Sequence, residues 1–126
     1  MLLTPNKYSR PQIPLTDVKK IAVHYVGNPK STAKNNRDYF ENLKNTHARN
    51  VSAHFIIGLD GEIIQCIPLN EWSYCTNQAN GYSISIECCH PDAAGKINKA
   101  TEARLIAPRA YLCGEFGLSE KDHIRP

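Results

Sequence analysis

Two residues stand out by type and placement. His24 interrupts an apolar run in "IAVHYVGNP", residues 21–29, and Glu87 is the lone carboxylate of "YSISIECCH", residues 82–90. On a strand, His24 shares a face with Ala22 and Val26. There a neutral imidazole can be a structural donor to a backbone carbonyl. It can equally be a metal ligand at the C-terminal end of the strand, with its other nitrogen fixed by a nearby acceptor. Glu87 reads either as a solvent-facing carboxylate or as a general base beside a metal-bound water. His54, His90 and His123 each read first as structural or exposed. The sequence contains no HExxH, phosphate-binding loop, GxGxxG or Ser-His-Asp order.

These residues need a scaffold, and hydrophobic periodicity outlines one. "KKIAVHYV", residues 19–26, reads as a strand apolar on both faces, typical of the centre of a mixed or parallel sheet. Gly27-Asn28-Pro29 ends it, and Ser31 or Thr32 caps a helix whose Ala33, Phe40 and Leu43 fall on one face. His47 follows the helix end. "NVSAHFIIGLDGEIIQCIPL" reads as a hairpin with strands over roughly 51–57 and 62–68 and a turn at Leu59-Asp60-Gly61. Residues 72–81 read as a polar loop. In the strand after it, Ser83, Ser85 and Glu87 alternate with Ile84, Ile86 and Cys88. A last helix is expected from Asn98 or Thr101, kinked or split by Pro108 and closed by Gly117. Residues 1–18, with Pro5, Pro11 and Pro14, are expected to be extended and to wrap the domain. The fold class is therefore α/β, a mixed central β-sheet flanked by helices.

Composition narrows the function classes. A chain of 126 residues, 41% hydrophobic and 21% charged, fits one domain with a modest core. A net charge of +3 without basic patches interleaved by aromatics argues against nucleic acid as a partner. No apolar run is long enough for membrane insertion. "MLLTP" is not a signal-peptide core, so a cytoplasmic location until release, or export by another route, is expected. The five cysteines, Cys66, Cys75, Cys88, Cys89 and Cys113, form no CxxC and are expected to be reduced.

The chain resembles the zinc-dependent N-acetylmuramoyl-L-alanine amidases, the family of phage lysozyme-amidases and peptidoglycan recognition proteins. "IAVHYVGNPKSTAKNNRDYF" resembles that family's first strand and helix, "NVSAHFIIGLDGEIIQCIP" its hairpin, and "SISIECCHPD" its glutamate-bearing strand. The resemblance spans roughly residues 16–125 as a single amidase-like domain. It implies hydrolysis of the amide between the lactyl group of muramic acid and L-alanine of peptidoglycan, by an endolysin or autolysin acting on the cell wall as a monomer. Residue by residue, it implies that His24 is the first zinc ligand and Glu87 the catalytic glutamate. Ala53 stands where some relatives have a catalytic tyrosine. Asn28, Trp72 and Asn77, from loops over the strand ends, are expected to line the substrate groove.

The family continues after "DHIR" into a segment bearing a second histidine ligand, a lysine and a third ligand. Pro126 stands at the place of that second histidine. The expectation is a C-terminally truncated chain that binds zinc weakly, since catalytic zinc needs three protein ligands. The alternatives are a non-catalytic module that binds muramyl peptide, or substitution by His54, His90 or His123.

Overall fold

The computed structural model describes residues 2–26, 30–90 and 99–124. The elements in chain order are β1 (Lys20–Tyr25), α1 (Ala33–Thr46), β2 (Phe55–Ile57), β3 (Ile63–Gln65), β4 (Ser83–Cys88), α2 (Lys99–Phe116) and β5 (His123–Ile124). Short 3-10 turns cover Asn77–Gly81 and Glu120–Asp122. The strands form one sheet in the order β3-β2-β4-β1-β5. β1 is parallel to β4 and β5, β2 is parallel to β4, and only β2 and β3 are antiparallel. This is the mixed sheet that the sequence implies.

The period-2 pattern of the two central strands divides the core. Ile21 and Val23 of β1, with Ile84, Ile86 and Cys88 of β4, pack together with Leu105 and Leu112 of α2. On the other face, Val26 and Ile56 pack with Ala33 and Phe40 of α1. Ala22, His24, Ser83, Ser85 and Glu87 alternate with the α2-facing residues and so belong to the α1 face. The two polar strand positions that could do chemistry thus share a face because their strands' hydrophobic positions share the other.

Local chemistry sets the ends of the helices. Thr32 caps α1: its hydroxyl accepts from the Asn35 amide at 3.0 Å, and Asn35 Oδ1 accepts from the Thr32 amide at 3.1 Å. His47 closes the helix in a left-handed conformation, φ 57°, and its ring stacks on Tyr8. Gly117 terminates α2 with φ 66°, and the Leu118 amide donates back to the Cys113 carbonyl at 2.9 Å, as in a Schellman cap.

Two expectations need correction. Pro108 does not split the last helix, which runs unbroken from Lys99 to Phe116. Leu105 and Leu112, buried on either side of Pro108 against the sheet, hold both halves in place. The hairpin strands are also shorter than expected. The backbone from Val51 to His54 bonds to loops and side chains instead of a strand: Val51 donates to Tyr8 O, Ser52 to Tyr74 O, and His54 to Ser85 Oγ. The turn itself falls at Gly61, whose φ of 82° suits glycine.

The extended N-terminal arm does wrap the domain. Leu3 is buried against the α1-side core, and Thr4 bonds Glu41 of α1 through both its amide and its hydroxyl. Arg10 grips Glu71 with two nitrogens, at 2.9 and 3.0 Å. The five cysteines are free thiols, as expected.

Candidate active site

The register of β1 against β4 makes His24 and Glu87 direct cross-strand partners. Parallel neighbours run about 4.8 Å apart with paired side chains on one face, so the imidazole and the carboxylate emerge side by side. Both stand near the C-terminal ends of their strands. Each carries an atom that breaks the rule for buried polar groups: His24 Nε2 and Glu87 Oε2 are both buried without a hydrogen-bond partner.

The electrostatics follow from burial. Desolvation pushes the His24 pKa down, which keeps the imidazole neutral. Desolvation pushes Glu87 up from the usual carboxylate range, partly opposed by the Cys75 thiol, which points at Oε1 from 3.5 Å. Burial and the neighbouring Glu87 raise Cys75 itself, so it stays a protonated donor. A neutral imidazole and a carboxyl of raised proton affinity, side by side on one face of the sheet, are suited to holding a metal ion and moving a proton; of the two, Glu87 is among the described residues lining the cleft and His24 is not.

The cleft, about 530 Å³, opens beside Glu87. Tyr25 and Val26 bring the end of β1 to it, while Asn35, Asn36, Tyr39 and Phe40 bring the first turns of α1. Arg49 and Val51 of the α1–β2 connection and Cys75 of the loop before β4 also line it. Its volume suits a small ligand or a short peptide.

Of the residues expected to line the groove, Asn28 lies outside the described residues. Trp72 packs against the α2-side core, with its ring beneath Gly81. Asn77 is exposed at the start of its 3-10 turn, with φ 52°. Neither is among the described residues lining the cleft. Sequence reading missed Cys75, Arg49, Tyr25 and Tyr39. Tyr39 had a findable signal, since it lies four residues from Asn35 and so on the same flank of α1. Arg49 and Cys75 had none, because loop conformation alone brings them in.

The other histidines are engaged elsewhere. His54 is fully buried. Its Nδ1 accepts from the Ser85 amide at 3.0 Å, which leaves the proton on Nε2 to donate to Glu71 O at 2.7 Å. With both nitrogens engaged, His54 offers no lone pair to a metal. His90 Nε2 donates to Val26 O at 2.6 Å. His123 pairs in register with Ile21, on the α2 face of β1 and away from His24. None of the three joins His24 in a cluster of candidate ligands among the described residues.

The orphaned Nε2 makes His24 a fitting metal ligand. Among the described residues, however, no group of three or more His, Cys, Asp or Glu side chains could hold an ion. His24 is therefore not part of any such cluster among the described residues.

The α/β domain thus sets a neutral imidazole and a buried carboxylate side by side on neighbouring strands. Residues 14–126 match the family model described as N-acetylmuramoyl-L-alanine amidase, and the chain belongs to that family. It is 34% identical over 139 residues to the N-acetylmuramoyl-L-alanine amidase BlyA of Bacillus subtilis, covering 94% of this chain. It is 33% identical over 133 residues to CwlL of Bacillus licheniformis, covering 95% of this chain. The chain spans 36% of the length of each of these relatives. Among solved structures, a mutant endolysin from Bacillus subtilis superposes with a TM-score of 0.80 at 26% identity, covering 98% of this chain and 79% of that one. The catalytic domain of XlyA superposes with a TM-score of 0.79 at 25% identity, covering 98% and 80%.

Proposed function

We propose that this chain carries the hydrolytic cleft of a peptidoglycan amidase, cutting the amide between the lactyl group of muramic acid and L-alanine. The observation that supports this most is the cross-strand pair itself, His24 against Glu87, each with a buried polar atom lacking a partner among the described residues. Such atoms cost stability unless something else satisfies them, and a metal ion and a substrate water are what an imidazole and a carboxylate would meet there.

In this reading His24 Nε2 is a zinc ligand, consistent with its neutral state. A bound zinc would polarise the scissile carbonyl and lower the pKa of its water toward about 7. Glu87 takes the proton of the attacking water and returns it to the leaving amine nitrogen of L-alanine. Burial, which raises the pKa of Glu87, brings its proton affinity closer to what both transfers need. Ala53 is fully buried in the α1-side core and contributes no acid or base, which leaves the proton transfers to Glu87. In this reading the walls from α1 and the Arg49–Val51 segment hold the stem peptide.

The test is to incubate the native protein that carries this cleft with a defined muramyl peptide and excess zinc, and to assay for a newly freed alanine amine. Release of that amine by wild type but not by Glu87→Gln is the expected result. Binding of the muramyl peptide without any release would make the chain a recognition module instead. Equal hydrolysis by the two proteins would remove Glu87 from the mechanism.

A further inference from the structure

We infer that the glycan strand of the substrate leaves the cleft across Tyr39 and lies along the outer flank of α1, an inference that rests on the peptidoglycan reading of the cleft. The lactyl group joins the scissile amide to a sugar ring through only a few bonds. A cleft that brings that amide to Glu87 must let the rest of the glycan leave over one of its edges. The α1 edge has the chemistry for it. A shallow concavity on the outer flank of α1 is lined by Asn35, Tyr39, Asn42 and Asn45, among others, and it shares Asn35 and Tyr39 with the cleft. Tyr39 is thus the ridge between two continuous depressions.

The side chains on that flank suit an uncharged polyol. Tyr39 is 46% exposed, although Phe40 beside it is buried. Its ring offers a flat apolar face with a hydroxyl at the rim. The axial C–H groups of a pyranose make the complementary apolar face, with polar groups around its edge. Helical spacing sets a carboxamide on either side of Tyr39, Asn35 one turn before it and Asn42 one turn after. Asn35 commits its Oδ1 to the capping box, and Asn42 Oδ1 accepts from Asn45 Nδ2 at 3.0 Å. Asn35 Nδ2, Asn42 Nδ2, Asn45 Oδ1 and the Tyr39 hydroxyl have no hydrogen-bond partner among the described residues. Donors and an acceptor therefore remain for sugar hydroxyls and acetamido groups.

The charges of the same flank are settled within it. Lys34 holds Asp38 and Lys44 holds Glu41, each at 2.6 Å. The concavity therefore presents little net charge, which favours a neutral sugar over an anionic or cationic ligand.

The experiment titrates the native protein that carries this cleft, with a chelator present so that no hydrolysis intrudes, against two ligands. One is a muramyl dipeptide, and the other is the same dipeptide with further N-acetylhexosamine units on its muramic acid. Calorimetry gives both affinities, and amide chemical shifts locate the contact. Wild type should bind the longer ligand about 10-fold more tightly, and only the longer ligand should move the Asn42 and Asn45 amides. Tyr39→Ala should bind the two ligands about equally, while Tyr39→Phe, which keeps the ring face, retains most of the preference. Three results would overturn the glycan path: equal affinities in wild type, a preference that leaves the Asn42 and Asn45 amides unmoved, or an undiminished preference in Tyr39→Ala. In each of these the muramyl dipeptide still binds, and the cleft reading stands. Failure of wild type to bind either ligand would overturn the cleft reading and the glycan path together.

Discussion

β4 offers two polar positions, two residues apart on the same face, that meet opposite treatment. Ser85 is fully buried and fully engaged. Its hydroxyl meets those of Ser73 and the His54 ring, and its amide donates to His54 Nδ1. Glu87 is met by the weak thiol donor of Cys75 on one oxygen and by none of the described residues on the other. Each position has its own histidine: His54, with both nitrogens occupied, and His24, with Nε2 orphaned. The first pair is what a fold does with polar groups it must bury. The second leaves binding capacity unused, which lowers stability and is characteristic of sites that act on a ligand. The difference separates a structural histidine from a functional one more firmly than residue type does.

The most severe way to break the comparison is at Glu87. Glu87→Gln should lower hydrolysis by roughly 10²–10⁴-fold, the usual contribution of a general base, and should leave the melting temperature at pH 7 unchanged or raised. The sign follows from the raised pKa. The folded protein holds the Glu87 proton more tightly than the unfolded chain does, so ionisation at neutral pH costs stability, and that stability returns as pH falls through the folded pKa. A clear drop in the Gln variant's melting temperature would mean that Glu87 is structural. The matching change at His24, His24→Ala, should weaken zinc binding by at least about 10-fold in a competition assay with a chromophoric chelator, whereas His54→Ala should leave zinc affinity alone.

His54 should fail in the opposite manner. His54→Ala leaves the Ser85 amide and the Glu71 carbonyl without their partner and opens a cavity, at a cost of about 3 kcal/mol. For a chain of this length that lowers the melting temperature by about 10 °C. Wild type should show the same dependence through pH. Burial lowers the His54 pKa from 6.5 to about 4. Its contribution to stability is complete above the unfolded value and is lost as pH falls from 6.5 toward 4, about 3 kcal/mol in all. Chemical denaturation at pH 7 and pH 4.5 should show this loss in wild type and a smaller one in His54→Ala. An equal loss in both proteins would assign the acid sensitivity to other groups.

How much of this contrast was legible beforehand depends on distance along the chain. Local signals placed the elements: the Thr32 cap, the apolar face of Ala33, Phe40 and Leu43, and the alternation along β4 all hold in the structure. The shared face of His24 and Glu87 followed from strand parity once the two strands were paired. Legibility ended where backbone groups bond out of register. Val51–His54 has strand composition, but Tyr8, Tyr74 and Ser85 capture its amides, so β2 starts only at Phe55. Pro108 carries a local breaking signal that the burial of Leu105 and Leu112 overrides. Trp72, a sensible groove residue by type, turns to the α2-side core, while Cys75 of the same loop turns to Glu87. Composition marks such a loop as polar and mobile in conformation, but tertiary packing decides which of its side chains faces the cleft.

The smallest expected effect concerns that cysteine, and it sharpens the comparison by asking how nearly unpartnered Glu87 is. The Cys75 thiol at 3.5 Å from Oε1 favours the ionised carboxylate and opposes the desolvation that raises its pKa. A sulfur donor is weak, so its removal should be felt only mildly. In Cys75→Ala desolvation acts unopposed, the Glu87 pKa rises further, and the acidic limb of the kcat/KM profile moves to higher pH. At a pH on that limb the rate falls a few-fold, while on the plateau it stays near wild type. Cys75→Ser supplies a stronger hydroxyl donor on a similar stem and should move the limb the other way or leave it in place. If both variants keep the wild-type limb, the thiol does not act on the carboxylate, and Glu87 stands with neither oxygen tuned by the protein.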